Sequence, residues 1–163
     1  MAIILVSSGK AQAVVSDEDF AALNAFTWHL VGGRLKRFYA GRRDADGKTI
    51  YMHRVVLNAP DGVQVDHINN DRLDNRRENL RLCNQSQNNA NSSRRRTSTN
   101  TYRGVYWDRY NRSWRAWINV GGKGRSLGYF KNEIDAAIAY NKAALDAFGE
   151  FAVPNQIESE GRK

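Results

Sequence analysis

The amino-acid sequence predicts an α+β fold made of two modules. Short apolar segments separated by turn residues fill positions 1–60. A segment of Asn, Gln, Ser, Thr and Arg, with too little apolar surface for a core, covers positions 84–100. After it, aromatic or aliphatic residues alternate with polar ones and lead into one long helical pattern. With 163 residues, the chain is long enough for two small domains.

The first module is predicted to begin with short strands and one helix. Turn residues at Gly9-Lys10 and Asp46-Gly47 separate predicted strands at Ala2–Val6, Ala11–Val15, Phe38–Arg42 and Thr49–Met52. Ser16 is a candidate helix cap, followed by three acids in the first turn and by Phe20, Leu23 and Phe26 at helical spacing. A β-rich segment interrupted by a helix follows from this pattern.

The second module is predicted to be a three-stranded antiparallel sheet packed on one helix. Its strands are expected at 102–107, 114–120 and 125–130. Asn132 is positioned to cap the helix, which ends at Gly149 with an apolar stripe of Ile134, Ala137, Ile138, Leu145 and Phe148. Strand alternation directs Ala116, Ile118 and Val120 toward the helix and leaves Arg115, Trp117 and Asn119 on the open face.

The positive charge of the chain is concentrated in one window. The formal net charge is +8, and residues 92–131 hold ten Arg or Lys against the single acid Asp108. This distribution predicts a surface for a polyanion, although a basic face kept for solubility explains it too. The run Arg94-Arg95-Arg96 is either a solvated tether or a contact with backbone phosphates, and the two roles are compatible.

Cysteine content and hydropathy exclude several classes of protein. Cys83 is the only cysteine, so an intrachain disulfide and a Cys-paired structural zinc site are excluded. No apolar run approaches the roughly 20 residues of a membrane span. We expect a soluble, cytoplasmic, monomeric protein that is neither secreted nor bound to membranes.

The pair Asp66-His67 and the asparagines that follow it suggest phosphodiester chemistry. Hydrolysis needs an activated water, charge neutralisation on the phosphate and help for the departing oxygen, which a metal and an imidazole supply together. Asn88 adds a neutral oxygen ligand suited to Mg²⁺ or Mn²⁺. An Asp-His pair alone is more often structural, and adjacent strand residues share a site only if the backbone turns there.

Three segments resemble the H-N-H endonucleases of phage and homing type. They are Met52-His53-Arg54-Val55-Val56, Val65-Asp66-His67-Ile68-Asn69 and Asp74-Asn75-Arg76-Arg77-Glu78-Asn79-Leu80-Arg81, and the likeness covers about residues 1–95. The resemblance implies a ββα-metal motif at 52–92 that cleaves duplex DNA at a directed site, by nicking one strand or cutting both.

The same resemblance implies roles for individual residues. Asp66 and Asn88 would hold one Mg²⁺ or Mn²⁺ per active site, and His67 would be the general base. Asn79 would hold the loop and orient His67, with His53 and Asn75 in support.

The second module resembles the DNA-binding domain of plant ethylene-response factors, the APETALA type. The likeness rests on Tyr102–Trp107, Trp114-Arg115-Ala116, Leu127–Phe130 and the segment 135–144, and it implies that the sheet binds double-stranded DNA. Tyr106, Asp108, Trp117, Asn119 and Ser126 depart from the plant pattern, so the plant target sequence is not expected. The predicted DNA contacts are Arg94, Arg95, Arg96, Arg103, Tyr106, Arg109, Arg115, Trp117, Asn119 and Arg125.

The sequence therefore predicts a nuclease domain at 1–92, a basic linker at 93–100, an ethylene-response-factor-like domain at 101–155 and a tail at 156–163. The predicted function is a metal-dependent, site-directed DNA endonuclease. One alternative is a DNA-binding protein like a transcription regulator, with an inactive nuclease scaffold. An RNA-binding protein ranks third, because the exposed aromatic motifs for single-strand stacking are lacking.

Overall fold

A computed structural model describes residues 1–32, 38–91 and 101–157 of the chain. The fold is mixed α+β, and it divides into two compact units, Met1–Asn84 and Gln85–Lys163. Among the described helices, none is both long and apolar enough to cross a membrane.

The first unit contains eight short strands and two short helices in its described part. In chain order these are β1 (Ala2–Val6), β2 (Ala11–Val15), α1 (Asp17–Asn24), β3 (His29–Gly32), β4 (Phe38–Arg43), β5 (Thr49–Tyr51), α2 (Met52–Val56), β6 (Gln64–His67), β7 (Asp74–Asn75) and β8 (Leu80–Cys83). A 3-10 turn at Arg77–Asn79 precedes β8. The predicted strands are present, except that Met52 begins α2 instead of ending a strand.

Three small sheets organise this unit. β1 and β2 form an antiparallel hairpin, and β7 joins it by parallel pairing of Val14 with Asp74 and Val15 with Asn75. A second antiparallel sheet has the order β3-β4-β5. β6 and β8 form an antiparallel pair in which His67 lies opposite Leu80. The parallel pairing ties the N-terminal hairpin to the loop that follows His67.

One apolar core supports these sheets. Its most buried large side chains are at most 2% exposed, and they are Trp28, Leu23, Met52, Val6 and Val15. The indole Nε1 of Trp28 donates to the Leu23 carbonyl at 2.8 Å, which satisfies its polar atom inside the core. Met52 opens α2, so the helix that carries His53 is anchored directly in this core.

Helix α1 begins at the predicted place but is held differently. Ser16 occupies the N-cap position, yet its side chain makes no capping bond and instead accepts from the Arg77 backbone N–H at 3.0 Å. Asp19 accepts from Arg77 Nε and Nη2 at 2.9 and 2.7 Å. Phe26 lies beyond the helix end, where its ring is covered by the Arg42 guanidinium, 4.2 Å away. The acids that suggested a helix start thus also fix a distant arginine.

The second unit contains the predicted three-stranded sheet and helix. Its elements are α3 (Gln85–Asn91), β9 (Val105–Asp108), β10 (Ser113–Val120), β11 (Lys123–Phe130) and α4 (Glu133–Phe148), followed by a 3-10 turn at Gly149–Phe151. The sheet is antiparallel with the order β11-β10-β9. β9 starts three residues later than predicted, since Gly104 has a φ of +71° and its carbonyl accepts from Trp117 N–H at 2.8 Å.

The buried face of α4 differs from the predicted stripe. Asn132 is the cap, as predicted, and its Oδ1 accepts from the Asp135 N–H at 2.8 Å. The buried residues are Ala136, Ala137, Tyr140, Ala144 and Phe148. The prediction was wrong for Ile138 and Leu145, which are 53% and 51% exposed. Two overlapping stripes at helical spacing exist in this segment, and the one rich in alanine lies on the sheet because small side chains allow close approach.

The two faces of β10 agree with the predicted alternation at its centre. Ala116 and Ile118 are buried, while Val120 is exposed because it lies at the strand end beside the Gly121-Gly122 turn. Val120 nonetheless lies on the side of the sheet that faces α4, as predicted, since it lines one groove with Ala139 and Ala143.

The predicted domain limits stay predictions. Arg94, Arg95 and Arg96 and the rest of the expected linker lie outside the described residues. Helix α3, assigned by sequence to the first module, groups with the second unit. There, Ser86 Oγ accepts from the Gly121 N–H at 3.0 Å, and Arg103 donates to the Ala90 carbonyl.

Candidate active site

Asp66 and His67 are the last two residues of β6 and are both buried. In the antiparallel pairing with β8, Asp66 lies opposite Arg81 and His67 opposite Leu80. The chain turns immediately afterwards, because the Asn70 N–H donates to the His67 carbonyl at 2.9 Å and Asn70 has a φ of +63°. The pair therefore sits where a strand ends in a tight turn.

Asp66 forms a buried ion pair with Arg81. Nε and Nη2 of Arg81 both lie 2.9 Å from Oδ2 of Asp66, and the side chains are 12% and 5% exposed. Two donors on one oxygen orient the carboxylate and compensate its burial. The negative charge of Asp66 also helps burial raise the pKa of the Cys83 thiol to about 11, so this thiol stays protonated.

His67 packs in a cluster of rings. Its ring centroid lies 5.2 Å from that of His53 in an edge-on arrangement and 6.0 Å from that of Tyr39. His53 in turn stacks on Tyr51 at 5.5 Å and contacts Tyr39 at 5.1 Å. Asp66 faces Arg81 while His67 faces these rings, as alternation along a strand directs. Whether both act on one substrate atom stays a prediction.

Burial keeps both imidazoles neutral at neutral pH. It is the main reason that the pKa of His53 falls from 6.5 to about 3, and the nearby charges of His67, Arg54 and Arg72 lower it further. Burial also lowers the pKa of His67, against a side-chain hydrogen bond with Asn75 and the Asp66 carboxylate, which raise it. A neutral imidazole is able to accept a proton, which a general base must do.

Asn79 fastens the turn after His67 through its side-chain amide. Its Oδ1 accepts from the Asn69 N–H at 3.0 Å, and its Nδ2 donates to Asn69 Oδ1 at 3.0 Å and to the Asp74 carbonyl at 2.8 Å. Its carbonyl accepts from the Ile68 N–H at 2.9 Å. These four bonds join both ends of the loop between β6 and β8, next to His67.

The acids of this loop stabilise its turns. Asp74 receives a two-point contact from Arg76, at 2.8 Å from Nε to Oδ1 and 2.8 Å from Nη2 to Oδ2. These bonds lower the pKa of Asp74 and raise that of Arg76. Asp71 Oδ1 accepts from the Leu73 N–H at 3.0 Å. Asp71 and Asp74 therefore stabilise turns of this loop.

Four residues beside the site were not found by sequence reasoning. Arg81 ends the third segment that resembles H-N-H endonucleases, and Arg72 lies in the loop just before that segment. Tyr39 and Tyr51 lie on β4 and β5. Arg81 had a usable signal, since pairing β6 with β8 in register places it opposite Asp66. The two tyrosines had none, because their approach to His67 depends on how separate sheets pack.

The predicted metal ligands lie on different elements. Asp66 ends β6, and Asn88 lies in α3, which belongs to the second unit. In the part of the chain that the structure describes, no three His, Cys, Asp or Glu side chains are grouped so that they could hold a metal ion. Asp66 offers carboxylate oxygens, a donor type that suits a hydrated Mg²⁺ or Mn²⁺. That Asn88 shares this cation stays a prediction.

The open face of the second unit carries cationic and aromatic side chains. The Arg115 guanidinium lies 4.4 Å from the ring centroid of Trp117 and 5.8 Å from that of Tyr129. Tyr106, paired with Arg115, is half-exposed. The Trp117 indole covers Gly124, where an added Cβ would lie 2.2 Å from the ring, so this position requires glycine.

The other predicted DNA contacts do not share one surface of the second unit. Arg109 and Asn119 are exposed. Arg125 is exposed and pairs with Ile118, so it belongs to the side of the sheet that faces α4. The Arg103 guanidinium donates to the Ala90 carbonyl and hydrogen-bonds Tyr140. Trp107 on β9 and Trp114 on β10 are paired and contact each other edge-on at 5.3 Å.

Comparison with known proteins identifies the class of this site. Residues 51–90, which include α2, the β6–β8 pair and nearly all of α3, match a family model described as HNH endonuclease. The chain is also 31% identical, over 155 residues, to an uncharacterised HNH endonuclease of Acanthamoeba polyphaga mimivirus, covering 94% of this chain and 80% of that relative. The chain belongs to the HNH endonuclease family.

No solved structure matches the chain. The relative comes from a giant virus, so the likeness to endonucleases of phage and homing type stays a resemblance. The same holds for the relationship of the second unit to ethylene-response factors, which rests on its motifs.

Proposed function

We propose that this protein is a metal-dependent endonuclease that hydrolyses phosphodiester bonds in duplex DNA. The carrying observation is the pair Asp66-His67, buried at the end of β6 within the segment that matches the HNH endonuclease family. The imidazole stays neutral at neutral pH, and the carboxylate next to it in sequence is fixed by Arg81.

His67 is the general base in this proposal. It takes a proton from the attacking water, and burial favours its neutral form before the reaction. Asn79 holds the turn after His67 by four hydrogen bonds and so fixes the position of the ring. Asn75 bonds the imidazole, and His53 packs against its edge at 5.2 Å.

One Mg²⁺ or Mn²⁺ would be held by Asp66, with water and phosphate oxygens completing its shell. Asn88 stays a predicted second ligand. Bound there, the cation would neutralise charge on the phosphate and stabilise the departing 3′ oxygen. Nε and Nη2 of Arg81 both contact Oδ2 of Asp66 and so orient the carboxylate.

The second unit is proposed to grip duplex DNA through its open sheet face. Support comes from the basic window at 92–131 and from the stack of Arg115 on Trp117 beside Tyr106 and Tyr129. Tethering a weakly specific nuclease to such a face raises its effective concentration at the target, which suits site-directed or homing cleavage.

The deciding experiment incubates supercoiled plasmid with the full chain and Mg²⁺ or Mn²⁺. Nicking gives open circles and double-strand cutting gives linear DNA, so one gel separates both products. We expect cleavage that EDTA abolishes and that His67→Ala reduces by about 10²–10⁴-fold, the usual contribution of general base catalysis. His29→Ala is the matched control, since His29 is an exposed histidine of the same unit, on β3.

Binding of plasmid without metal-dependent cleavage would refute the proposed enzymatic activity and favour a DNA-binding protein with an inactive nuclease scaffold.

A separate measurement tests whether the open sheet face of the second unit binds DNA. Arg115→Gln should weaken duplex binding and reduce the slope of log K against log salt by about 0.9 for one lost phosphate contact. Unchanged affinity and slope would show that another surface binds DNA.

A further inference from the structure

A cation stacked on a tyrosine lies beside the candidate base. The guanidinium carbon of Arg72 is 4.4 Å from the ring centroid of Tyr39. The same Tyr39 ring is 6.0 Å from the His67 ring and 5.1 Å from the His53 ring. Tyr39 thus joins an arginine to both imidazoles within the first unit.

The backbone around Arg72 is well fixed. Asn69 Oδ1 accepts from the Asp71 N–H at 2.8 Å, and Asp71 Oδ1 accepts from the Leu73 N–H at 3.0 Å. Directly afterwards, Asp74 and Asn75 pair with β2. A side chain that leaves a loop braced on both sides starts from a defined position, so little ordering is needed when it binds a ligand.

The charge of Arg72 lies near the base. Its guanidinium covers the Tyr39 ring, and that ring contacts the rings of both His53 and His67. A cation in this cluster attracts an anionic group that enters it, and the phosphate is the anionic part of the proposed substrate.

We propose that Arg72, held against Tyr39, binds the non-bridging oxygens of the scissile phosphate beside His67. This inference rests on the proposed endonuclease function. As water attacks phosphorus and gives its proton to His67, the P–O3′ bond breaks with its electron pair on the 3′ oxygen. Negative charge grows on the non-bridging oxygens in between, and the planar fork of an arginine matches two of them. Arg72 is then a catalytic residue, and Tyr39 is a positioning residue.

The first test compares variants that lose the same charge. Single-turnover nicking of supercoiled plasmid is measured for the wild type, Arg72→Gln, Arg72→Lys and Arg43→Gln. Arg43 is the matched control, because it is an exposed arginine on β4, the strand of Tyr39, and donates to the Gly47 carbonyl. The DNA dissociation constant of each protein is measured in EDTA.

We expect Arg72→Gln to lower the nicking rate constant by roughly 10²–10³-fold, the usual loss for one donor to a developing anion. Arg72→Lys should be intermediate, and DNA affinity should change by no more than about threefold. Tyr39→Leu should reduce the rate more than Tyr39→Phe. An Arg72→Gln variant that nicks as fast as Arg43→Gln overturns the inference and leaves the proposed function intact.

A second readout excludes a merely structural role. Plasmid with one strand made from phosphorothioate nucleotides carries sulfur at one non-bridging position of each linkage. If Arg72 contacts that oxygen, the slowing by sulfur is smaller in Arg72→Lys than in the wild type. Because the proposed fork contacts both non-bridging oxygens, an equal sulfur effect in the two proteins refutes the contact. Failure of the wild type to nick with either metal refutes this inference together with the proposed function.

Discussion

Replacing Arg81 by Gln should severely destabilise the first unit. The change removes the guanidinium that faces Asp66 from two nitrogens at 2.9 Å and leaves a carboxylate that is 5% exposed. The glutamine amide keeps one donor but carries no charge. The cost is therefore that of a buried anion that has lost its arginine, and not that of a surface contact.

The expected loss is about 3–5 kcal/mol, the usual cost of removing one partner of a buried ion pair. An exposed pair would contribute only about 0–1 kcal/mol. For a compact unit of this size, folding free energies run to roughly 0.05–0.15 kcal/mol per residue, so the loss is a large share of the total. Asp66→Asn combined with Arg81→Gln removes both charges and should be less destabilised than Arg81→Gln alone.

Hydrogen exchange measured by mass spectrometry suits this test because peptides from residues 1–84 report on the first unit within the intact chain. Arg81→Gln should speed exchange in β6 and β8, because the free energy of opening falls there. Arg43→Gln should change that opening free energy by less than about 1 kcal/mol. Added Mg²⁺ should restore more protection to Arg81→Gln than to the wild type, since a cation at Asp66 compensates the same charge. A loss below about 1 kcal/mol, or equal protection by Mg²⁺ in both proteins, would refute this reasoning.

Three further predictions concern stability. Gly104→Ala should destabilise the second unit by at least about 2 kcal/mol in urea unfolding, because the new Cβ would lie 2.1 Å from the Tyr140 ring at a φ of +71°. Since the pKa of His53 is about 3 when folded and 6.5 when unfolded, the unfolded chain binds more protons between these values. Stability present above pH 6.5 should therefore fall toward pH 3 by up to about 1.4 kcal/mol per pH unit, and His53→Gln should flatten that slope in unfolding curves at several pH values. Arg77→Ala should cost about 1 kcal/mol by the same measurement, with less effect at high salt, because Arg77 is half-exposed in its pair with Asp19; a salt-independent loss would contradict this.

Local patterns predicted much of the fold. Strand alternation predicted the sheet of the second unit. Asn132 predicted the start of α4, because its side chain forms a local capping hydrogen bond. The family-like segment located Asp66, His67 and Asn79, whose turn depends on residues close in sequence. These features follow from interactions over a few residues, which sequence records directly.

Features that depend on packing between distant segments could not be predicted. Nothing in the sequence pairs Asp19 with Arg77, 58 positions apart, or places Tyr39 beside His67. The stripe of α4 was ambiguous because two sets of apolar residues share its period, and only contact with the sheet decides between them. The roles of Asn88 and of the arginines at 94–96 stay predictions for the same reason.

The parallel pairing of β2 with β7 has a consequence for protein engineering. The HNH segment at 51–90 depends on the N-terminal residues for its loop, through Val14, Val15, Ser16 and Asp19. Excising that segment as a minimal cleavage cassette for fusion to other DNA-binding modules would strip the backbone partners from Asp74 and Asn75. A transplantable cutting module from this protein must therefore start at its first hairpin.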